Sequence, residues 1–307
     1  MSRTKADPAL AAPDPLPSGL NAPDHDVLEL LREGTIEVTG RIVTASNATL
    51  LCSVELAGTT GNCVYKPVRG ERPLWDFPDG TLADREVASY LVSDATGWSV
   101  VPPTVLRTGP YGVGMVQLWI DTPGATLADL DAGDGAVEQS EHDLLVAEER
   151  GELIDLSPPT AVPAGWRSVL RARDYDGDVV VLAHADDPRL RRMAVLDCVI
   201  NNADRKGGHV LHGVDGRVYG VDHGICLHHE YKLRTVLWGW RGEPLGEEAV
   251  DVLSRLAAQL QGTLGEQLYT HLTAREVDAL RRRVRQLLAA PSMPGPSGER
   301  MIPWPAF

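Results

Sequence analysis

Lysine is nearly missing from this chain: of 29 basic residues, four are lysine (Lys5, Lys66, Lys206 and Lys232) and the other 25 are arginine. Such a bias fits a GC-rich coding sequence that leaves lysine mainly where arginine will not serve, so the interior lysines draw attention. Basic charge as a whole is also short. The 29 basic side chains face 43 acidic ones for a net charge of −14, which argues against nucleic-acid binding through phosphate neutralisation. Simple electrostatic docking on anionic lipid is disfavoured for the same reason. No apolar run approaches the roughly 18 to 20 residues that a membrane span needs, so no stable membrane insertion is expected. Residues 1–23 lack the apolar stretch of a secretory signal. The four cysteines (Cys52, Cys63, Cys198 and Cys226) include no CxxC pair. In a chain of 307 residues this points to reduced thiols and a cytoplasmic setting rather than a disulfide framework.

What is present is a globular composition, 43% apolar and 23% charged. Residues 1–23 are rich in Pro, Ala and Asp and read as a flexible tail, as do the Pro-rich residues 291–307. Between them the pattern changes once. Ile36 to Val43, Thr49 to Leu56 and Asn62 to Lys66 are β-branched runs split by short polar turns, the pattern of consecutive hairpins. A helix is expected from Leu82 to Ser93, then strands over Thr104 to Arg107 and Gly114 to Ile120. Beyond Asp121 the pattern turns mainly helical, with helices expected at Glu141 to Arg150, Asp187 to Ile200, Ala249 to Leu260 and Ala274 to Leu288. The fold class expected is α+β and bilobal, with a β-rich lobe over 24–120 and a mainly helical lobe over 121–290. Such a layout puts a ligand cleft between the lobes.

The richest chemistry lies in Asn201 to Gly224, NNADRKGGHVLHGVDGRVYGVDHG. Asp215–Gly216 is a strong hairpin signal. A two-residue loop there sets His209 opposite Asp222, so that two metal-competent side chains face one point. Asp204 sits on the loop feeding the same hairpin. Phosphoryl transfer needs such a carboxylate to orient or deprotonate an acceptor hydroxyl, ligands for divalent ions bridging the phosphates, and a cation on the phosphates. Lys66, ending the strand VYK, supplies the cation, and Glu86 on the following helix is placed to pair with it.

These segments resemble a known family. DRKGGH followed by VDHG is similar to the paired catalytic and metal-binding motifs of the phosphatidylinositol 3-/4-kinase-like superfamily, also echoed in HipA-type and Fam20-type kinases. VYKPVRGERPLWDFPDGTLADREVASYLVSDATGW, GMVQLWI and CVINNADRKGGHVL resemble a compact actinobacterial branch of that family, and the likeness runs over residues 34–245. It implies a protein-kinase-like (PI3/4-kinase-like) fold, ATP, and Mg2+ or Mn2+. By the same resemblance Lys66 contacts phosphate, Glu86 holds it, Asp204 is the catalytic carboxylate and Asp222 a metal ligand. Gln117, Leu118, Trp119 and Ile120 become the hinge against adenine. Two positions depart from the family pattern: His209 stands where the family has its metal-binding Asn, and Lys206 where it has His. Imidazole favours Mn or Zn over Mg, while Lys206 offers a point charge to the transferring phosphoryl group. No GxGxxG is present; TASNAT, with Ser46 and Asn47, is the matching turn and offers backbone N–H groups to phosphate.

The function expected is an ATP- and metal-dependent phosphotransferase acting on a hydroxyl of a protein, a small metabolite or an inositol-type headgroup. A nucleotide-binding pseudokinase and a nucleotidyl transferase are the alternatives. Five of the nine histidines fall within His209 to His229, but without HExxH or a cysteine pair a dedicated zinc site is disfavoured. DYDGD (residues 174–178) has the wrong glycine and glutamate positions for a calcium loop and is read as a turn. GPYGVG (residues 109–114) is read as a hairpin, and Trp238 and Trp240 as packing residues.

Overall fold

Buried and half-buried residues alternate along Gly61–Pro67, and the strand that carries them pairs with Leu50–Leu56 in a tight hairpin. The structure, a computed structural model, describes residues 24–42, 47–123, 153–174, 176–297 and 300–307. The expected tail at 1–23 and the expected helix at Glu141 to Arg150 lie outside those residues. Strands β1 (Thr35–Arg41), β2 (Leu50–Leu56), β3 (Thr59–Pro67), β4 (Thr104–Gly109) and β5 (Gly112–Leu118) form an antiparallel sheet in the order β1-β2-β3-β5-β4. The β2–β3 turn holds Ala57 and Gly58 at φ 51° and 84°, the doubly positive geometry whose twist suits a two-residue hairpin. GPYGVG is the β4–β5 turn, with Gly109 paired to Gly112.

Helix α1 (Asp24–Glu33) was not anticipated; its Val27, Leu30 and Leu31 join Val54, Tyr65 and Val116 in one apolar cluster. Helix α2 (Leu82–Thr96) begins at Thr81, whose side chain accepts from the Asp84 amide, and stops at Gly97 with φ 73°. It is buried on more than one side. Ala83 and Val87 meet Met115 of β5, while Ala88, Tyr90 and Val92 belong to a second, larger cluster.

That larger cluster is built around helix α3 (Pro188–Ile200), capped by Asp187 and ended by Asn201 at φ 55°. Helices α4 (Glu247–Gln259), α5 (Thr263–Leu268) and α6 (Ala274–Ala289) supply Leu253, Leu256, Leu268, Leu280 and Val284 to it. Past Asp121 the described residues hold these four helices and, in addition, strands that the sequence pattern does not announce. Strands β6 (Ile154–Ser157), β7 (Trp166–Arg173) and β8 (Val179–Ala185) form a separate antiparallel sheet in the order β6-β8-β7. A bulge between Ser168 and Leu170 breaks the two-residue period of β7, so the alternation that would announce the strand is lost. DYDGD is the β7–β8 turn, closed by Asp174 N–H donating to Asp178 O at 3.0 Å.

The segment from Pro291 is also not the free tail expected. Met293 is buried in the larger cluster, Pro244 and Ser292 form a β-bridge, and Ile302 and Ala306 pack on the same cluster. No described helix is long and apolar enough to cross a membrane. All four cysteines are buried and free.

Two buried charges fasten α2 in place. Arg85 Nη2 donates to Glu276 Oε1 at 2.5 Å, with each side chain 2% exposed, and Arg85 Nη1 donates to Cys226 O at 2.9 Å. Replacing Arg85 by Met leaves Glu276 charged, buried and short of its partner. Arg85→Met is expected to lower stability by about 3–5 kcal/mol in urea unfolding, whereas Trp75→Ala, at a side chain 91% exposed, should stay within about 0.5 kcal/mol of the parent.

Candidate active site

Strand β3 alternates Gly61, Cys63 and Tyr65 into the smaller cluster's side, leaving Lys66 on the other face. Tyr65 fixes that phasing by donating its hydroxyl to Gly112 O at 2.6 Å. Gly114 lets β5 lie close beside Lys66, since a Cβ there would come within 2.5 Å of Lys66 O. Lys66 Nζ then reaches two carboxylates, Glu86 Oε1 at 2.8 Å and Asp222 Oδ1 at 2.8 Å. Glu86 uses its other oxygen to accept the His223 amide N–H at 2.8 Å. One helix carboxylate thereby ties the β3 lysine to the Asp222–Gly224 segment.

Asp222 has φ 60°, a left-handed conformation that a non-glycine residue adopts at some cost. Its Oδ2 faces His209 Nε2 at 3.5 Å. His209 donates Nδ1–H to Asp204 O at 2.9 Å, which leaves Nε2 with its lone pair toward Asp222. Asp204 in turn holds Lys206, Oδ2 to Nζ at 3.3 Å, and its amide donates to Asn202 Oδ1 at 2.9 Å.

Electrostatics follow from this packing. Burial pulls the Lys66 ammonium toward the neutral form, but the charges of Asp222 and Glu86 outweigh it, and the net shift is upward. Lys66 stays charged. The same lysine holds the half-exposed Asp222 carboxyl well below the usual carboxylate range. Burial raises Glu86, opposed by Lys66, and burial likewise raises Asp204, opposed by Lys206. Burial lowers His209 to about 4, so at neutral pH its imidazole is uncharged. A neutral imidazole lone pair beside an ionised carboxylate is a mixed donor set that suits Mn2+ better than the oxygen-seeking Mg2+.

The His209–Asp222 encounter is as expected, but its route is not. Strands β9 (Val210–His212) and β10 (Val218–Gly220) pair His212 with Val218 and Val210 with Gly220. The loop therefore has three residues, Val214–Asp215–Gly216, with Gly216 at φ 76°, and His209 lies opposite Val221. Asp215 selects this loop: its carboxylate accepts the Arg217 amide at 3.0 Å and the Tyr219 hydroxyl at 2.8 Å. The positive φ of Asp222, rather than strand register, swings its carboxylate to the imidazole.

Lys66, Glu86, Asp204, Asp222, Asn47 and Glu71 line a single cavity of about 360 Å3. Asn47 Oδ1 accepts the Arg72 amide at 3.0 Å; Ser46 lies outside the described residues. The expected hinge residues stand apart from that cavity lining. Gln117 Nε2 donates to Thr104 Oγ1 at 2.8 Å, and Leu118 and Ile120 are buried in the smaller cluster. The amides of Leu118 and Trp119 already donate to Pro103 O and Asn62 O at 2.9 and 3.0 Å.

Three residues escaped the sequence reading. Arg205, with no exposed surface, donates to Asp197 at 2.9 to 3.2 Å, and its Nη1 donates to His209 O at 3.2 Å and Val221 O at 3.4 Å. Asp197 is also fully buried and accepts from Asn202 and Thr235. A carboxylate inside the apolar run LDCVI was the available signal. Glu71 accepts the Leu82 and Ala83 amides at 3.0 and 2.9 Å and so occupies the N-terminus of α2. The remaining clustered histidines divide among other tasks. His212 contacts Arg189, His223 contacts Arg205, and His228 Nδ1 accepts the Glu230 amide at 3.0 Å. His228, His229 and Glu230 are the one trio of metal-competent side chains within 4.8 Å of each other among the described residues.

Set against known proteins, the chain matches no family model. Phosphatidylinositol 4-kinase gamma 4 of Oryza sativa subsp. japonica is 25% identical over 201 residues, 58% of this chain and 26% of that protein. The crystal structure of the Golgi casein kinase aligns with a TM-score of 0.39 at 13% identity, over 87% of this chain and 73% of that one. The likeness in sequence is thus kinase-like and distant. Protein Rv2133c of Mycobacterium tuberculosis is 55% identical over 278 residues, 91% of this chain and 94% of that protein. The chain belongs to the family of Rv2133c.

The guanidinium of Arg205 leaves no room at its neighbour. A Cβ on Gly220 would lie 2.8 and 2.9 Å from Arg205 Nη2 and Nη1. Gly220→Ala is expected to displace that group and lower the urea midpoint by the equivalent of about 1–3 kcal/mol; an unchanged midpoint would show that the Asp197–Arg205 pair tolerates movement.

Proposed function

We propose that this protein is an ATP- and divalent-metal-dependent phosphotransferase of PI3/4-kinase-like type that phosphorylates a hydroxyl acceptor. The observation that carries the reading is the convergence of Lys66, Glu86, Asp204 and Asp222 on one cavity from β3, α2 and the two ends of the β9–β10 ribbon. On this reading the molecule is bilobal, residues 24–120 hold the nucleotide and residues 121–290 supply Asp204 and Asp222. The sequence likeness to a phosphatidylinositol 4-kinase supports it.

Each residue has a task that its surroundings suit. Lys66, kept charged by two carboxylates, turns to the nucleotide's phosphates and leaves Asp222 free to hold metal. Glu86 keeps the lysine aimed. Asp222 and neutral His209 would hold a divalent cation, which supplies neutralisation of phosphate charge. Asp204 orients the acceptor hydroxyl and takes its proton as the oxygen bonds to the γ-phosphorus; the bond from that phosphorus to the bridging oxygen of ADP breaks. A carboxyl raised by burial suits proton acceptance. Lys206, paired with Asp204, would offer a point charge to the group in transit. Asn47, on the cavity lining, and the neighbouring Ser46 serve the phosphates. A soluble acceptor, protein or metabolite, fits a net charge of −14 at least as well as a lipid headgroup.

Asp204→Ala is expected to lower transfer of labelled γ-phosphate by about 10²- to 10⁴-fold, and Lys66→Met by about 10²- to 10³-fold, with nucleotide still bound by Asp204→Ala. Mass spectrometry of the product should show a gain of about 80 daltons, the phosphoryl group moved in such transfers. A gain of about 329 daltons would mean AMP transfer. ATP binding without turnover over a panel of hydroxyl acceptors would mean a nucleotide-binding module.

A further inference from the structure

The glycine at 207 has no backbone reason to be there. Its φ is not in the positive range, so alanine fits the conformation. What a side chain here would meet is Phe307: a Cβ on Gly207 would lie 2.2 and 2.4 Å from two carbons of the Phe307 ring, so the ring or the loop would have to shift. At the adjacent Gly208 a Cβ would meet nothing within 4 Å. The Gly207 amide also donates to Ala306 O at 2.8 Å.

This contact is the end of a longer seam. Arg205 and Thr235 form a parallel bridge, in which Arg205 N–H donates to Arg234 O at 3.1 Å and Val236 N–H to Arg205 O at 3.1 Å. Met301 adds a third layer, its carbonyl accepting the Thr235 amide at 3.4 Å and the Trp238 indole N–H at 2.6 Å. Pro303 is buried, and Ile302 and Ala306 rest on the larger apolar cluster. Residues 301–307 thus run from the Thr235 layer to the loop Asp204–His209 and touch it at its middle. Gly207 to His209 is a 3-10 turn. On one side of it Lys206 meets Asp204; on the other His209 meets Asp222.

We propose that residues 301–307 are a strap that positions the Asp204–His209 loop for phosphoryl transfer, with Phe307 as its positioning residue. The proposal rests on the phosphotransferase reading of Asp204. Phe307 touches neither nucleotide nor acceptor in this account; it acts by fixing Gly207, and through it the reach of Asp204 and His209. Because Phe307 is 48% exposed, its contribution to global stability is small and its effect on the loop is separable from unfolding.

The test uses the full chain with Phe307→Ala, Phe307→Leu, Gly207→Ala and the double variant Gly207→Ala/Phe307→Ala. Gly208→Ala reports the cost of a methyl group in the same loop away from the ring. Release of ADP from ATP in the presence of Mn2+ is read as kcat and KM, and hydrogen exchange is read at the 204–209 amides. Phe307→Ala is expected to lower kcat about tenfold or more, within the range that small misplacement of reacting groups produces. KM for ATP and Tm should be nearly unchanged, Gly207 exchange faster, and Phe307→Leu should recover most of the rate. Gly207→Ala should cost more than Gly208→Ala, and the double variant no more than Phe307→Ala alone. A rise in turnover on removing the ring would overturn the proposal, because the segment would then be inhibitory. Unchanged kcat and unchanged exchange in Phe307→Ala would overturn it too, as would strictly additive losses in the double variant. Should the parent protein turn over no ATP with any acceptor, the phosphotransferase reading falls. The exchange arm then decides the strap alone: faster Gly207 exchange supports it and unchanged exchange overturns it.

Discussion

The pair Asp197–Arg205, both side chains at 0% exposure, is the interaction on which the site's geometry depends. A buried ion pair is tolerable only when every remaining donor and acceptor is used, and here they are: Asn202 and Thr235 complete the carboxylate, while His209 O, Val221 O and His223 Nε2 complete the guanidinium. Of those three acceptors, His209 O belongs to one of the two residues whose side chains meet, and Val221 and His223 flank the other, Asp222. Arg205 therefore clamps both edges of the β9–β10 ribbon from beneath, and α3 anchors the clamp by carrying Asp197 in its buried face.

A second constraint is the three-way charge contact of Lys66, Glu86 and Asp222. Two carboxylates around one ammonium keep the lysine ionised despite burial, and the arrangement joins elements distant in sequence, β3, α2 and the segment after β10. Helix α2 is the mediator. It presents Glu86 to the lysine and, one residue earlier, buries Arg85 against Glu276 of α6. The position of the carboxylate in the site is thus tied to packing on the far side of the helix.

Lys66, Glu86, Asp204, His209 and Asp222 were legible because each is a charged or metal-competent residue in a patterned context: a strand end, a helix's first turns, a hairpin. Local pattern misleads where it parts from three-dimensional geometry. DG suggested a two-residue loop, but Asp215 captures the Arg217 amide and the Tyr219 hydroxyl and holds a three-residue loop instead. The Pro-rich residues from 291 suggested a free tail, yet their few apolar side chains find sites on the larger cluster. Strand β7 was hidden by its bulge, and α1 by its shortness, although Val27, Leu30 and Leu31 carry a helical spacing.

The chain alone settled which side chains carry charge and donor atoms, and which runs become the strands of the first sheet and the helices α2, α3, α4 and α6, because periodicity and capping act over a few residues. Folding in three dimensions settled everything that compares distant residues: that Lys66 meets Asp222, that Arg205 is buried, that Phe307 lies on Gly207. Those contacts are chosen by which groups must be desolvated together, a property of the packed chain that no local window of sequence contains.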